Sequence, residues 1–231
     1  MRWLLSEHTF DTGRLPSEPE LARQLGASRA TVRQALSLLA MEGLVVRRHG
    51  AGTFVNEVVL NIHTRLEEVW DFAEMIRESG HQPGVRHLEL SLKPAPAAIG
   101  QKLQLAPEAE LLTTANIFLA DAVPVIYCID SIPAGLVTQA YRDEELHGPV
   151  YSFLAKRCGQ RLDYNVAKLL PVVADEKLSG LLQCPPGSPL HYFEETGFNG
   201  DGIPIIYSEE YYRPEYFSFH IIRKMTSSRR S

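Results

Sequence analysis

The chain has 231 residues, 45% hydrophobic and 22% charged, which is typical of a folded globular protein long enough for two domains. Residues 1–56 hold seven arginines, no lysine and five acids, a formal +2, whereas residues 57–231 carry a formal −7. Only the amino-terminal part therefore suits a polyanion, and because no apolar run approaches about 18 residues, a membrane-spanning helix is excluded.

The first well-marked element is a short capped helix. Ser17 and Glu20 have the spacing of a capping box, so a helix is predicted to begin at Glu18. Pro19 fits its first turn, where no intrahelical amide bond is lost, and Gly26 is placed to end it.

A second helix is predicted from Arg29 to Met41, between a cap at Ser28 and a left-handed end at Gly43. Apolar residues at three-to-four spacing form its inward face: Val32, Ala35, Leu36 and Leu39.

The outward face of this helix has the pattern of a DNA-reading surface. Arg29 and Arg33 lie one turn apart near its amino end, flanked by Thr31 and Gln34. A planar guanidinium can pair bidentately with guanine, although an isolated arginine pair is more often only a solvated surface.

The next stretch predicts a short hairpin. Leu44–Arg48 is a strand, His49, Gly50, Ala51 and Gly52 form a flexible turn, and Thr53–Val55 is the return strand. Glycines at such a tip let backbone amides approach phosphates closely. Two capped helices followed by this hairpin indicate a winged helix-turn-helix that binds duplex DNA.

Residues 13–55 resemble the DNA-binding domain of the GntR family of bacterial transcription regulators. The matching stretches are LPSE, SR-x-TVR-x-AL at Ser28–Leu36, EGL at Glu42–Leu44 and G-x-GTFV at Gly50–Val55. The resemblance implies that Arg29, Thr31 and Arg33 contact bases or phosphates and that His49 and Gly50 lie at the minor groove. The full predicted DNA-binding set is Ser17, Ser28, Arg29, Thr31, Arg33, Gln34, His49, Gly50, Gly52 and Thr53.

Two departures from the family pattern stand out. Pro19 occupies a position where many members carry an arginine that contacts DNA. The family's first helix of about three turns is reduced here to Met1–Glu7. Either the start of the sequence is mis-assigned or this domain lacks part of its core, and we assign residues 1–56 to a winged helix-turn-helix domain with a shortened first helix.

A polar stretch, residues 57–65, is predicted to link this domain to a second one at 66–231. The second domain opens with an amphipathic helix whose apolar residues run from Leu66 to Ile76 and which Gly80 ends. Between its two halves, Pro149–Cys158 is predicted to be another helix.

The second domain contains an internal repeat. QKLQLAPEAELL at Gln101–Leu112 and SGLLQCPPGSPLHY at Ser179–Tyr192 align with an offset of 79 residues, so that Leu103 corresponds to Leu182. VPVIY at Val123 and IPIIY at Ile203 then correspond after one insertion. Two copies of one supersecondary unit predict a pseudo-twofold α+β domain with helices on a mainly antiparallel sheet.

Residues Leu66 to Arg223 resemble the UTRA domain of HutC-type GntR regulators, whose fold is similar to that of chorismate lyase. The stretches WDFAEMIRESG and YYRPEYFSF carry the resemblance with the repeat. It implies a small-molecule effector bound between the halves and a dimer formed through this domain.

Members that recognise phosphorylated sugars keep hydroxyl and arginine residues at positions that here are Asp71, Asn116 and Phe118, and glutamates where this chain has Cys128 and Ile206. A carboxylate would repel a phosphate, so a sugar phosphate is disfavoured and a less anionic, partly apolar or cationic effector is expected. The predicted effector-binding set is Asp71, Asn116, Phe118, Cys128, Tyr207, Glu210 and Tyr212.

We therefore expect a cytoplasmic homodimer that binds a palindromic operator as a repressor, without cofactor, metal or membrane association. The three cysteines, Cys128, Cys158 and Cys184, are odd in number and widely spaced, without the paired spacing of a metal site. They are predicted to be buried structural thiols. One alternative is an enzyme of lyase-like fold with a vestigial helix-turn-helix, although adjacent carboxylates such as Glu209 and Glu210 would point to opposite faces of a strand. The other is an interaction module with weakened DNA binding.

Overall fold

The computed structural model describes residues 13–62, 64–69 and 71–223. The chain divides into two compact units, which we call the head and the body. The head comprises the residues up to Glu67 with those from Phe219 onward, and the body is Glu68–Ser218. The predicted first helix at Met1–Glu7 lies outside the described residues. Within the described ranges, no helix is long and apolar enough to cross a bilayer.

The head contains the predicted helices and hairpin in the predicted order. Its elements are α1 (Glu18–Leu25), α2 (Arg29–Glu42), β1 (Val45–Arg48), β2 (Gly52–Val55) and α3 (Glu57–Leu60), with β1 and β2 antiparallel.

The caps place the two helices where the sequence predicts them. The Ser17 hydroxyl accepts from the Glu20 amide at 3.4 Å, and the Glu20 carboxylate accepts from the Ser17 amide at 2.8 Å. Gly26 and Gly43 end α1 and α2 with φ of 61° and 82°, in the left-handed region that glycine enters without a Cβ clash.

The predicted inward face of α2 packs into the core of the head, with Val32, Leu36 and Leu39 buried and Ala35 half-buried. The remaining buried members of this core come from both sides of α2 in the sequence: Leu15, Leu21, Ala22, Leu44, Val45 and Val59.

Residues 57–65, predicted to be a linker, are packed on the head instead. α3 buries Val59 in the head core. The Arg65 guanidinium is buried and donates to the Glu42 carbonyl at 3.2 Å. The polarity of this stretch predicted a loop, but Val59 and the buried Arg65 side chain attach it to the head.

The end of the chain also belongs to the head. His220 accepts from the Leu66 amide at 2.8 Å and donates its own amide to the Thr64 carbonyl at 2.9 Å. Ile222 packs against the head core. The chain therefore passes between the two units twice, and the predicted boundary of 66–231 for the second domain includes residues that pack on the first.

The body is built around one antiparallel sheet of six strands in the order β3-β4-β5-β8-β7-β6. This is the α+β class that the sequence predicts. Its elements are α4 (Phe72–Glu78), β3 (Pro83–Pro94), α5 (Ala97–Lys102), β4 (Glu110–Ala120), β5 (Val123–Pro133), α6 (Val150–Arg157), β6 (Tyr164–Val173), α7 (Glu176–Leu182), β7 (Pro189–Phe198) and β8 (Pro204–Tyr212).

The internal repeat is confirmed by the topology. Each half runs strand, helix, strand, strand, and β5 and β8 meet at the centre of the sheet. Gln104 and its repeat partner Gln183 both adopt left-handed backbone, with φ of 53° and 51°. Leu103 and Leu182, the residues before them, are both buried. The two copies therefore share backbone conformation as well as sequence.

The helix predicted to begin near Leu66 is shorter than expected. α4 starts at Phe72 because the Asp71 carboxylate accepts from the Glu74 amide at 3.0 Å and so caps its first turn. The helix predicted at Pro149–Cys158 is present as α6. Cys128, Cys158 and Cys184 are free and buried, as predicted.

The sheet has two faces with different contents. On the first, which we call the cavity face, the directly paired residues Asn116, Cys128, Glu210 and Phe193 form one row across four strands. Thr114, Asp130, Ser208 and Glu195 form the next row. The opposite face carries the core formed with α5 and α7, including Leu103, Leu111, Ile117, Tyr127, Leu182, Leu190 and Tyr207.

Candidate functional site

The outward face of α2 carries exposed polar side chains. Arg29, Thr31, Arg33 and Gln34 are exposed, whereas the opposite side of the helix is buried. The Arg33 side chain is 65% exposed, and its Nε donates to Glu18 Oε2 at 3.1 Å. An exposed pair of this kind is weak, so Arg33 can exchange this carboxylate for an acceptor on DNA.

The predicted serines at the helix starts serve as caps. Ser28 accepts from the Thr31 amide at 3.1 Å, and the two hydroxyls lie 2.8 Å apart. The Ser17 hydroxyl donates to Glu20 Oε2 at 2.6 Å. To donate this proton to a phosphate, Ser17 would have to break its capping hydrogen bond to Glu20, so we do not retain Ser17 as a DNA contact.

The hairpin presents an open, basic tip. His49, Gly50 and Gly52 are exposed, and the two glycines have φ of 73° and 116°. Nothing lies within 4 Å of the place that a Gly50 Cβ would occupy, so a phosphate can approach the backbone there. Thr53 is half-buried, and its carbonyl accepts from the Leu15 amide at 2.9 Å.

Three charged residues outside the predicted set also shape this surface. Arg47 donates to the Arg33 carbonyl at 3.2 Å and lies 4.0 Å from Glu18, so it joins the hairpin to α2. The Arg14 Nε lies 3.1 Å from the position of a Gly52 Cβ. The excess of arginine over lysine hinted at the two arginines, but contacts between segments distant in sequence have no local signal.

The body contains a cavity of about 180 Å³ on the cavity face of its sheet. This size suits a small metabolite rather than a macromolecule. Its lining comes from α4, β3, the central strands and the start of α6: Asp71, Phe72, Ala73, Arg77, Pro83, Gly84, Val85, Phe118, Asp130, His147, Gly148, Pro149, Val150, Tyr151 and Glu210.

Two buried carboxyl groups form the polar part of this lining. Asp130 is 7% exposed and Glu210 5% exposed. Asp130 accepts from the Ser208 hydroxyl at 2.6 Å, and Glu210 accepts from the Tyr212 hydroxyl. Burial raises the pKa of Asp130, and burial with the nearby charge of Glu195 raises the pKa of Glu210 well above its ordinary range.

The neighbouring carboxylates of the opposite face are in a different environment. Glu194 lies 2.5 Å from the Lys102 ammonium, and this hydrogen bond lowers the pKa of Glu194. Glu209 accepts from the Tyr192 hydroxyl at 2.8 Å. Adjacent glutamates do point to opposite faces, as predicted, but Glu195 and Glu210 come to the same face from neighbouring strands.

The structure brings part of the predicted effector-binding set together. Asp71, Phe118 and Glu210 line the cavity. Tyr212 lies behind Glu210, completely buried, with its ring 6.1 Å from that of Phe72. Asn116 is buried on the same face and donates to the Leu146 carbonyl at 3.1 Å.

Cys128 and Tyr207 do not reach the cavity lining. Cys128 is completely buried, 3.5 Å from Asp130 Oδ2. Tyr207 lies on the opposite face, where its hydroxyl donates to Glu194 Oε2 at 3.3 Å, because an odd number of positions separates it from Glu210 along β8. We therefore do not retain Tyr207 as an effector contact. Sequence reasoning missed Asp130. It lies two residues after Cys128 in β5 and so points to the same face of the sheet, which could have identified it.

Glu210→Gln is expected to change how stability depends on pH. A carboxyl whose folded pKa is raised contributes stability below its unfolded pKa and loses it as the pH rises through the folded value. Because the burial of Glu210 and the facing carboxyls Asp130 and Glu195 raise the pKa of Glu210, glutamine removes this loss. The free energy of unfolding of Glu210→Gln minus that of the wild type should therefore grow from about pH 5 to pH 8.

Denaturant unfolding at several pH values measures this difference. Glu194→Gln is the matched control. Because the pKa of Glu194 is lowered, this variant should lose the same free energy of unfolding relative to the wild type at every pH in this range. A difference for Glu210→Gln that stayed flat or shrank as the pH rose would show that Glu210 is not buried as described.

Family models match both parts of the chain. Residues 78–218 match the UTRA domain, and residues 2–55 match the bacterial regulatory proteins of the gntR family. YurK of Bacillus subtilis, an uncharacterised HTH-type transcriptional regulator, is 30% identical over 199 residues, covering 84% of this chain and 79% of that protein. The histidine utilization repressor of Pseudomonas putida is 27% identical over 187 residues, covering 81% and 74%.

Solved structures agree on the fold. The possible transcriptional regulator YydK of Bacillus subtilis superposes with a TM-score of 0.74 at 17% identity, covering 96% of this chain and 94% of that one. PhnF of Mycobacterium smegmatis gives a TM-score of 0.62 at 21% identity, covering 97% of each chain.

Proposed function

This chain belongs to the GntR family of bacterial regulatory proteins, in its UTRA-containing, HutC-like branch, and we propose that it is a repressor whose operator affinity a small effector controls. It is a DNA-binding transcriptional regulator with a carboxyl-terminal effector-binding domain. We infer that it acts in the cytoplasm and regulates rather than catalyses.

We propose that α2 and the hairpin form the DNA-binding surface. The observation that carries this is the exposed guanidinium pair of Arg29 and Arg33 on α2, beside the open glycine tip at Gly50 and Gly52. Arginine at the amino end of a recognition helix is placed to pair with guanine in the major groove. Ser28, Thr31, Gln34, His49 and Thr53 complete the proposed set.

We propose that a homodimer binds an inverted repeat. Two heads must meet half-sites about one helical turn, or a multiple of it, apart. β6 is an edge strand of the body sheet and exposes Tyr164, Val166 and Val173. An exposed apolar edge can pair with a second copy, so we assign the dimer contact to β6.

We propose that the cavity of the body is the effector site. Asp71, Phe118 and Glu210 would contact the ligand, with Asn116, Cys128 and Tyr212 supporting them from behind. The carboxylates of this lining oppose a phosphate group, which supports an effector other than a sugar phosphate.

Selection of bound duplexes from a random-sequence library tests the regulator proposal, with the oligomeric state measured by analytical ultracentrifugation. We expect an enriched inverted repeat bound by two copies of the chain. Enrichment of no sequence, with the body still folded, would favour an interaction module, and turnover of a small molecule without any DNA binding would favour an enzyme.

A further inference from the structure

The cavity of the body has an unbalanced set of charges. Three carboxylates line it, from Asp71, Asp130 and Glu210, against the single arginine Arg77. Arg77 is exposed on α4, whereas Asp130 and Glu210 are more than nine-tenths buried on the central strands. The buried end of the cavity is therefore acidic, and its one guanidinium is exposed to solvent.

Among the residues that the structure describes, no cation neutralises the buried end. The hydrogen-bond partners of Asp130 are the Ser208 hydroxyl and the Cys128 thiol, and that of Glu210 is the Tyr212 hydroxyl. Within the part of the chain that the structure describes, no lysine, arginine or histidine forms an ion pair with either carboxylate. Burial without a cation disfavours the charged forms of both carboxyls, so a ligand that supplies positive charge would stabilise the carboxylates that the protein alone does not.

The walls of the cavity are aromatic. The Phe72 and Phe118 rings meet edge to face with centroids 4.6 Å apart, and both line the cavity together with Tyr151. Aromatic faces attract an ammonium group by their quadrupole and also accept an apolar body. The imidazole of His147 lines the same cavity, stacked on His87 with centroids 4.1 Å apart.

We infer that the effector of this regulator is a small organic cation, with an ammonium or amidinium group placed between Asp130 and Glu210 and a compact apolar body against Phe72 and Phe118. This inference rests on the proposal that the cavity is the effector site. Arg77 at the exposed end could pair with a carboxylate at the far end of such a ligand. The class of small organic cations therefore includes amino acids as well as simple amines.

Thermal unfolding of the full chain with matched probes tests this chemistry. Benzylamine, histamine and agmatine are the cationic probes, benzyl alcohol is the neutral isostere of benzylamine, and benzoate and glucose 6-phosphate are the anionic probes. We expect at least one amine to raise the midpoint of body unfolding while the neutral and anionic probes leave it unchanged.

Two isosteric variants locate the cationic group. Asp130→Asn and Glu210→Gln keep the shape of the site but remove one carboxyl each. In calorimetric titration, the affinity of each variant for the best amine should be lower than that of the wild type by about 30-fold or more. Glu209→Gln is the matched control, because Glu209 is adjacent to Glu210 in β8 but lies on the opposite face of the sheet. Its affinity for the amine should stay within about twofold of the wild-type value. Circular dichroism confirms that each variant is folded.

Three results would overturn the inference: no amine binds at millimolar concentration, an anionic probe stabilises the body in their place, or the amine binds both charge-removing variants as tightly as the wild type. Operator binding measured without any probe separates this from the proposed function. A chain that binds its operator but no amine refutes only the cationic effector, whereas a chain that binds no DNA refutes the regulator proposal.

Discussion

Replacing both Arg29 and Arg33 by alanine is expected to weaken operator binding by roughly 100-fold or more, because each base-reading arginine contributes about 1–3 kcal/mol. Both side chains are exposed and lie on the face of α2 opposite the head core. In the proposed interface their removal would take away two bidentate donors for guanine, and it opens no cavity in the protein.

Fluorescence anisotropy of a labelled operator duplex at fixed salt measures the loss, and the same titration on an unrelated duplex separates specific from general binding. Arg23→Ala is the control for the loss of one charge and is compared with the single variants Arg29→Ala and Arg33→Ala: it removes an exposed arginine in the last turn of α1. We expect it to reduce affinity slightly and equally for both duplexes.

The thermal stability of the double variant should remain that of the wild type, since Arg33 contributes only an exposed ion pair. If Arg23→Ala weakened operator binding as much as Arg29→Ala or Arg33→Ala does, the effect would be one of total charge. The assignment of α2 as the reading helix would then be wrong.

Leu36→Ala is expected to destabilise the head by about 2–5 kcal/mol, the usual cost of truncating a buried leucine. Leu36 is 1% exposed and lies on the inward face of α2. A head of this size has a total stability of only several kcal/mol. The variant should therefore lose most of its folded head, and with it operator binding, at physiological temperature.

Amide hydrogen exchange, read separately for α2 and for β5 and β8, measures this effect. We expect fast exchange in α2 and unchanged protection in the central strands of the body. Leu38→Ala, on the exposed side of the same helix, is the matched control and should be nearly neutral. Equal loss of protection in both units would show that they unfold as one.

The two helices and the hairpin of the head could be predicted from the sequence, because their boundaries are set by local chemistry. A capping box at Ser17 and left-handed glycines at Gly26 and Gly43 act within a few residues of the ends they fix. The shorter α4 follows the same logic, since Asp71 was the stronger start signal than the apolar residues before it.

The effector cavity could be predicted only in part. Asp71 and Phe118 came from a family resemblance and Glu210 from its place beside Tyr212, but Asp130 was missed and Tyr207 lies on the opposite face. Asp130 and Glu210 line the same cavity because β5 pairs with β8. The two strands are far apart in the sequence, so no local pattern predicts this pairing. Nor could the sequence show that residues near His220 return to the head.

That return gives the regulator two covalent connections between its units. A ligand that prefers one arrangement of the body shifts the population of head arrangements, and its effect on operator affinity cannot exceed its own difference in affinity between those states. The segment at Leu66 and the segment at His220 are hydrogen-bonded to each other, so strain entering either one reaches the same part of the head.

Dimethyl sulfate protection on the selected operator tests most directly whether α2 reads DNA, because this reagent methylates guanine N7 in the major groove. We expect the wild type to protect guanines in both half-sites and the Arg29→Ala, Arg33→Ala double variant, at saturating concentration, to lose that protection. Guanines equally reactive with and without bound wild-type protein would contradict the account.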